Sequence, residues 1–103
     1  RDDSGRLVGV ASIYEEALPE QPAVPLAWRV RGVAVATEWR RAGIGRSLMQ
    51  ACEAHAARRG GALVWCNART TAVAFYERLG YRALGGVFDV PGVGPHVRMQ
   101  RPL

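Results

Sequence analysis

The segment Arg40-Arg41-Ala42-Gly43-Ile44-Gly45 joins a β-branched run, Val30 to Val35, that reads as a buried strand to a stretch from Arg46 to Arg59 that reads as an amphipathic helix. Two glycines one residue apart let the backbone turn tightly and come close to a ligand. A chain entering a helix here leaves several amide N–H groups without partners, aimed outward at the positive end of the helix dipole. Such a cradle suits a phosphate or pyrophosphate. A glycine pair alone is equally a plain turn, so the surrounding residues must decide. A dinucleotide fingerprint needs a third glycine three residues after Gly45, where Leu48 stands. A P-loop closes on Gly-Lys-Ser/Thr, and this chain contains no lysine.

With 103 residues, the chain is expected to form one domain, 1–103, near the lower end of what buries an adequate core alone. Its 49% hydrophobic content is that of a globular chain and too high for a disordered one. No apolar stretch approaches a membrane span and no signal-peptide pattern is evident, so no membrane partner and a cytoplasmic setting are expected. Cys52 and Cys66 fall in helix-like and strand-like segments without metal-ligand spacing; both read as buried free thiols, and no metal site is expected. The net charge is +5, carried entirely by arginine on the basic side. These arginines are scattered, with no basic-aromatic stripe, so nucleic acid is not the expected partner. Neutralising a polyphosphate cofactor uses part of that charge.

Asp2-Asp3-Ser4-Gly5 signals a turn, followed by a strand from Leu7 to Tyr14. Pro19, Pro22 and Pro25 make residues 15–27 a loop. A second strand is expected from about Trp28 to Val35. In the helix that follows, Ile44, Leu48, Cys52 and Ala56 recur at helical spacing and form the expected buried stripe, and Gly60-Gly61 ends it. Ala62 to Cys66 reads as a short strand. Thr70 or Thr71 is placed to cap a second helix with Ala72, Phe75, Tyr76 and Leu79 on one side and Gly80 as terminator. Tyr81 to Phe88 and His96 to Met99 read as strands around the turn at 91–95. The order is β-β-α-β-α-β-β, an α/β arrangement.

The loop fits the pattern Arg/Gln-x-x-Gly-x-Gly/Ala, which resembles the acetyl-CoA-binding signature of the GNAT superfamily of N-acetyltransferases. Arg31-Gly32-Val33-Ala34-Val35 followed by Glu38-Trp39-Arg40 is similar to the strand that family places before its loop. Ala72-x-x-Phe75-Tyr76-Glu77-Arg78-Leu79-Gly80-Tyr81-Arg82 is similar to its second hallmark segment, so the resemblance covers roughly residues 5 to 100. It implies a mixed, mostly antiparallel sheet (α+β) with a helix on each face, splayed between central parallel strands to admit pantetheine. Members of the family usually open with a strand, one or two helices and another strand before the point where this sequence begins. The chain is therefore expected to be either a fragment or a minimal form completed by a partner chain. A sheet edge starting at Leu7 would be sticky, which predicts a homodimer or an instability hazard.

The resemblance further implies acetyl-CoA (coenzyme A) as co-substrate and transfer of an acetyl group to a primary amine of a small molecule or peptide. The alternative is a degenerate acyl-CoA-binding module. It implies that Arg40 opens the pattern and that main-chain groups of Arg41, Ala42, Gly43, Ile44, Gly45 and Arg46 take the pyrophosphate, with Ser47 adding a hydroxyl. Backbone groups of Val33, Ala34 and Val35 pair with the pantetheine arm, and the Val35 amide polarises the thioester carbonyl, a donor typically worth about 3 kcal/mol. Tyr76 stands where the family has its thiol-contacting tyrosine and is the expected general acid. By helical spacing alone it reads as an amphipathic core residue, and its place in the hallmark segment is what reverses that reading. Asn67 and Arg69, between the strand ending at Cys66 and the second helix, are the expected cofactor contacts, Arg69 standing where an asparagine is usual.

The general base is left open among Glu15, Glu16, Asp89 and His96, because the family's strand glutamate is replaced here by Arg29. Arg29 and Arg31 share one strand face; if that face lines the cleft, it favours an acceptor carrying a carboxylate or phosphate. Cys66 has no evident base and is not expected to act as a nucleophile. Trp28, Trp39 and Trp65 read as packing residues.

Overall fold

The computed structural model describes residues 9–23, 26–35 and 43–103, with side chains described for 11–23, 26–31 and 43–103. The elements are β1 (Gly9–Glu15), β2 (Ala27–Val35), α1 (Ile44–Arg58), β3 (Leu63–Arg69), a 3-10 turn (Thr70–Ala72), α2 (Val73–Arg78), β4 (Arg82–Val90) and β5 (Gly94–Pro102). They form one five-stranded sheet in the order β1-β2-β3-β5-β4, in which only the β2–β3 pair is parallel. This is the expected mixed, mostly antiparallel α+β architecture. Among the described residues no helix is long and apolar enough to cross a membrane.

Strand alternation sorts the sheet into two faces. One carries Val30, Val64, Cys66, Ala68, Val97 and Met99, and both helices pack on it through Met49, Cys52, Ala56 and Tyr76. The other face carries Ala27, Leu63 and Trp65, covered by the fully buried Leu18 from the segment after β1 and by Leu84. The two described helices thus share one face, whereas the expectation placed one on each. α1 and α2 each follow a strand and fold back over the same side, while the second face is sealed by loop and by polar side chains.

Several boundaries differ from the reading of the sequence. α1 starts at Ile44 rather than Arg46, because Gly43 already makes the turn and Gly45 sits in the first helical turn. Its buried face is Met49, Cys52, Glu53 and Ala56, with Ile44 and Leu48 only half-buried. β3 continues past Cys66 to Arg69. Neither Thr70 nor Thr71 caps α2; they lie in the 3-10 turn, and Ala72 is the N-cap residue without a side-chain hydrogen bond. β4 and β5 pair with two extra β4 residues, Gly85-Gly86, between Leu84↔Arg98 and Val87↔Val97; Gly85 has φ 77°, a conformation that favours glycine.

One buried polar cluster ties the core together. The Glu53 carboxylate on α1 accepts a hydrogen bond from the Tyr81 hydroxyl at 2.7 Å and one from Arg101 Nη1 at 2.8 Å. Burial and the adjacent Glu53 carboxylate push the Tyr81 phenol well above its ordinary value, so it stays a donor.

Candidate active site

β2 and β3 pair only at Ala27↔Leu63, Trp28↔Val64 and Arg29↔Trp65. Beyond Arg29, β2 stays with β1 as far as Val35↔Gly9, and β3 stays with β5 as far as Arg69↔His96. Their facing edges share no further ladder among the described residues. A β-bulge contributes to the parting: Ser12↔Arg31 and Val10↔Ala34 leave Gly32 and Val33 opposite Ala11 alone, which bends β2 and re-aims its main chain. The gap is a cavity of about 420 Å³. Val30, Cys66, Ala68, Ala72 and Tyr76 wall it on the helix side; Arg29, Arg31, Asn67, Arg69 and His96 belong to the other face, and Val90 and Val93 come from the β4–β5 hairpin.

Of the expected cofactor residues, Val33, Ala34 and Val35 form the end of β2 beyond its last pair with β3. Arg40, Arg41 and Ala42 lie outside the described residues, as does Trp39. Gly43 is the N-cap residue of α1 at φ 77°, ψ 12°, and a Cβ built on it meets nothing within 4 Å. The first amide that returns to the helix is Ser47 N–H, donating to Gly43 O at 3.0 Å. The amides of Ile44, Gly45 and Arg46 precede it and have no acceptor within the helix. Among the described residues no side chain caps this end and no acidic residue occupies the first turn, and Arg46 and Ser47 are exposed. These features fit an anionic ligand: an open cradle of donors at the positive pole of a 15-residue helix.

Tyr76 is buried on α2 against Phe75 and Tyr81, with ring centroids 5.0 and 5.7 Å away and near-perpendicular planes. The Cys66 thiol of β3 is a polar neighbour of its hydroxyl. Burial first, then the thiol, raises the Tyr76 phenol well above its ordinary value. Burial pushes the Cys66 thiol up to about 12, against smaller lowering effects of Arg29 and Tyr76. Both groups keep their protons at neutral pH, so Cys66 is no thiolate nucleophile.

On the opposite face, Arg29 Nη1 donates to Glu16 Oε2 at 2.7 Å and its guanidinium lies 4.9 Å from the Trp65 ring centroid. Arg98 donates from Nε to Asn67 Oδ1 at 3.0 Å, pairs with Glu20, and lies 5.4 Å from Trp65. Trp65 is therefore a packing residue, as expected, flanked by two cations. Trp28 is buried as well. Arg31 reaches the Tyr14 hydroxyl at 3.4 Å. His96 is buried beside the Phe88 ring and donates from Nδ1 to the Gly94 carbonyl at 2.8 Å, which leaves Nε2 as the acceptor of the neutral ring. Of the four candidate bases, His96 alone lines the cleft: Glu16 is held by Arg29, and Glu15 and Asp89 are exposed outside it.

Sequence reading missed Arg98, which positions Asn67, and the buried Glu53. A carboxylate next to Cys52 in an apolar stripe was the available signal for Glu53; nothing local marked Arg98.

Comparison with known proteins places this geometry. The family model of the acetyltransferase (GNAT) domain matches residues 1–103. The chain is 35% identical over 99 residues to the uncharacterized N-acetyltransferase YitI of Bacillus subtilis strain 168, a match that covers 96% of this chain and 66% of that protein. The crystal structure of a Lactobacillus plantarum protein assigned as an N-acetyltransferase superposes with a TM-score of 0.81 at 29% identity, over 93% of this chain and 60% of the other. An aminoglycoside 6'-N-acetyltransferase complexed with coenzyme A shares the fold, with a TM-score of 0.76 at 20% identity over 99% of this chain and 69% of that one. The chain thus spans about two thirds of the length of these relatives. Matched from end to end by that family model and sharing the fold of these solved neighbours, the chain belongs to the GNAT acetyltransferase family.

Proposed function

We propose that the chain is the core of an acetyl-CoA-dependent N-acetyltransferase that acts on a primary amine of a small molecule or peptide. The observation that carries this reading is the opening between β2 and β3, with Tyr76 on its wall. The uncapped start of α1 is the matching anion cradle. Main-chain N–H groups of Gly43, Ile44, Gly45 and Arg46 hold the pyrophosphate, joined by Arg40, Arg41, Ala42 and the Ser47 hydroxyl. The edge of Val33, Ala34 and Val35 away from β1, without a ladder among the described residues, takes the pantetheine arm as a strand would. The Val35 amide stabilises the charge that builds on the carbonyl oxygen. Asn67, expected with Arg69 as a cofactor contact, touches the same ligand from β3, while Arg69 at the strand's end is left for the acceptor side of the cleft.

Acetyl-CoA supplies the acetyl group, its C–S bond breaking as the C–N bond forms. Tyr76 gives its hydroxyl proton to the departing sulfur, and solvent returns to the phenolate the proton that the amine nitrogen loses; the raised phenol value keeps the hydroxyl proton in place until the thiolate appears. His96, through Nε2 or an intervening water, is the residue placed to accept the amine proton. Thiol release from acetyl-CoA across a panel of amines tests the reading. Coenzyme A binding without turnover of any amine refutes it. Arg29 at the position of the family's strand glutamate favours one second reading, an acyl-CoA-binding module without catalysis.

A further inference from the structure

The cleft has two faces of opposite character. Its helix side is apolar apart from Tyr76 and Cys66, and this is the side of α1 and its anion cradle. A thioester delivered from there is met by an amine arriving from the other face. That face presents Arg29, Arg31 and Arg69, and no Asp or Glu lines the cleft among the described residues. Two carboxylates are already committed to arginines of this face, Glu16 to Arg29 and Glu20 to Arg98. Arg31 on β2 and Arg69 on β3 stand on the two strands that part, one on each lip, and neither has a carboxylate partner among the described residues. Among the described residues the one side-chain hydrogen bond of Arg31 is to the Tyr14 hydroxyl.

We propose that Arg31 and Arg69 select an acceptor that carries its own anionic group, a carboxylate or a phosphate, beside the amine. This rests on the transferase reading above and names its substrate class. An anion on the acceptor finds two charge-assisted donors on an exposed rim that costs little to desolvate. Neighbouring guanidinium groups also disfavour the ammonium form of the incoming amine, which helps it lose its proton in a cleft without a carboxylate base. Polycationic acceptors are repelled by the same charges.

The test compares kcat/KM for matched acceptors by thiol release: β-alanine and O-phosphoethanolamine against propylamine, with spermidine as the polycation. A charge-assisted contact predicts a preference of about tenfold to hundredfold for the better anion over propylamine, and the larger of the two ratios identifies the group recognised. Arg31→Glu and Arg69→Glu should each cut that ratio at least about tenfold; both residues are exposed, and a ratio within one variant is insensitive to the fraction folded. A ratio near one, a preference for spermidine, or a ratio that neither substitution moves overturns the proposal. Turnover of propylamine without anion preference defeats this inference and spares the transferase reading. If coenzyme A binds but no amine turns over, calorimetric titration of N-acetyl-β-alanine, N-acetyl-O-phosphoethanolamine and N-propylacetamide onto the coenzyme A complex still decides: selective uptake of either anion upholds the proposal, and equal or absent binding overturns it.

Discussion

Gly43 and Gly60 flank α1, share a φ of 77°, and would each carry a Cβ into open space. Alanine at either position therefore meets no clash, and the backbone term stands alone: about 1–2 kcal/mol to hold an L-residue in the left-handed region. In a domain of this size each kcal/mol lowers Tm by about 4–8 °C, so Gly43→Ala and Gly60→Ala should lose similar stability, about 4–16 °C. Their effects on coenzyme A should differ. Gly43 opens the turn whose amides face outward, and an alanine that relaxes away from positive φ rotates the peptide plane joining it to Ile44. Losing one charge-assisted hydrogen bond, about 1.5–3 kcal/mol, weakens Kd roughly tenfold to hundredfold. Gly60 lies beyond the far end of a helix about 22 Å long and should leave Kd unchanged. Gly43→Asn, which tolerates the left-handed region better, should recover part of both losses. Thermal melts and calorimetry with coenzyme A check these values. If Gly43→Ala binds as tightly as the parent chain, the turn is no part of the cradle; if Gly60→Ala weakens binding equally, the effect is one of global stability.

Tyr76→Phe should lower kcat about 100-fold or more while KM for acetyl-CoA moves only a few-fold, because the lost proton matters only at the transition state; a parallel loss of affinity, or no loss of rate, refutes its role as acid. Tyr81→Phe leaves a buried oxygen of Glu53 without its 2.7 Å donor and should cost about 1.5–3 kcal/mol in urea unfolding; under about 0.5 kcal/mol would show that the cluster is not holding α1. Cys66 has its folded value raised from 9.0 to about 12, so the unfolded chain loses that proton first as pH rises. Its contribution to stability is complete below about pH 8 and disappears between pH 9 and 12, so Cys66→Ala should flatten the alkaline fall in unfolding free energy. The native thiol should also resist iodoacetamide at pH 8.5 and react after unfolding; rapid native labelling would contradict its burial.

Element order, the turn at Gly43 and the position of Tyr76 were legible because each is written locally. Gly43 is a residue type demanded by its own φ, and Tyr76 sits in a contiguous segment similar to a family hallmark. The buried stripe of α1 was read along the row Ile44, Leu48, Cys52, Ala56, but four residues turn an α-helix by 400°, so such a row drifts about 40° per step. The observed face, Met49, Cys52, Glu53, Ala56, follows the true period. Glu53 was hidden because its partners are 28 and 48 residues away in the chain. β3 was cut short at Cys66 because Asn67 and Arg69 are polar, yet alternation turns both to the cleft's open face while Ala68 stays in the core. That β2 and β3 part was implied by the family resemblance alone: Val30–Val35 is as β-branched as any paired strand, and only the register of its neighbours shows that, among the described residues, one edge is left without a ladder.

That short seam has a mechanical consequence. The sheet is two ribbons, β1 with β2 and β3 with β5 and β4, stitched by three rungs. α1 lies on the first ribbon, and through Glu53 it grips Arg101 of β5 and Tyr81 at the head of β4 on the second. Arg101 pairs with Val64, level with those rungs, so the clasp sits at the pivot and not at the mouth. Whatever wedges the ribbons apart therefore works against a hinge that the Glu53 carboxylate helps to clasp from the helix side, a residue that lines no part of the cleft.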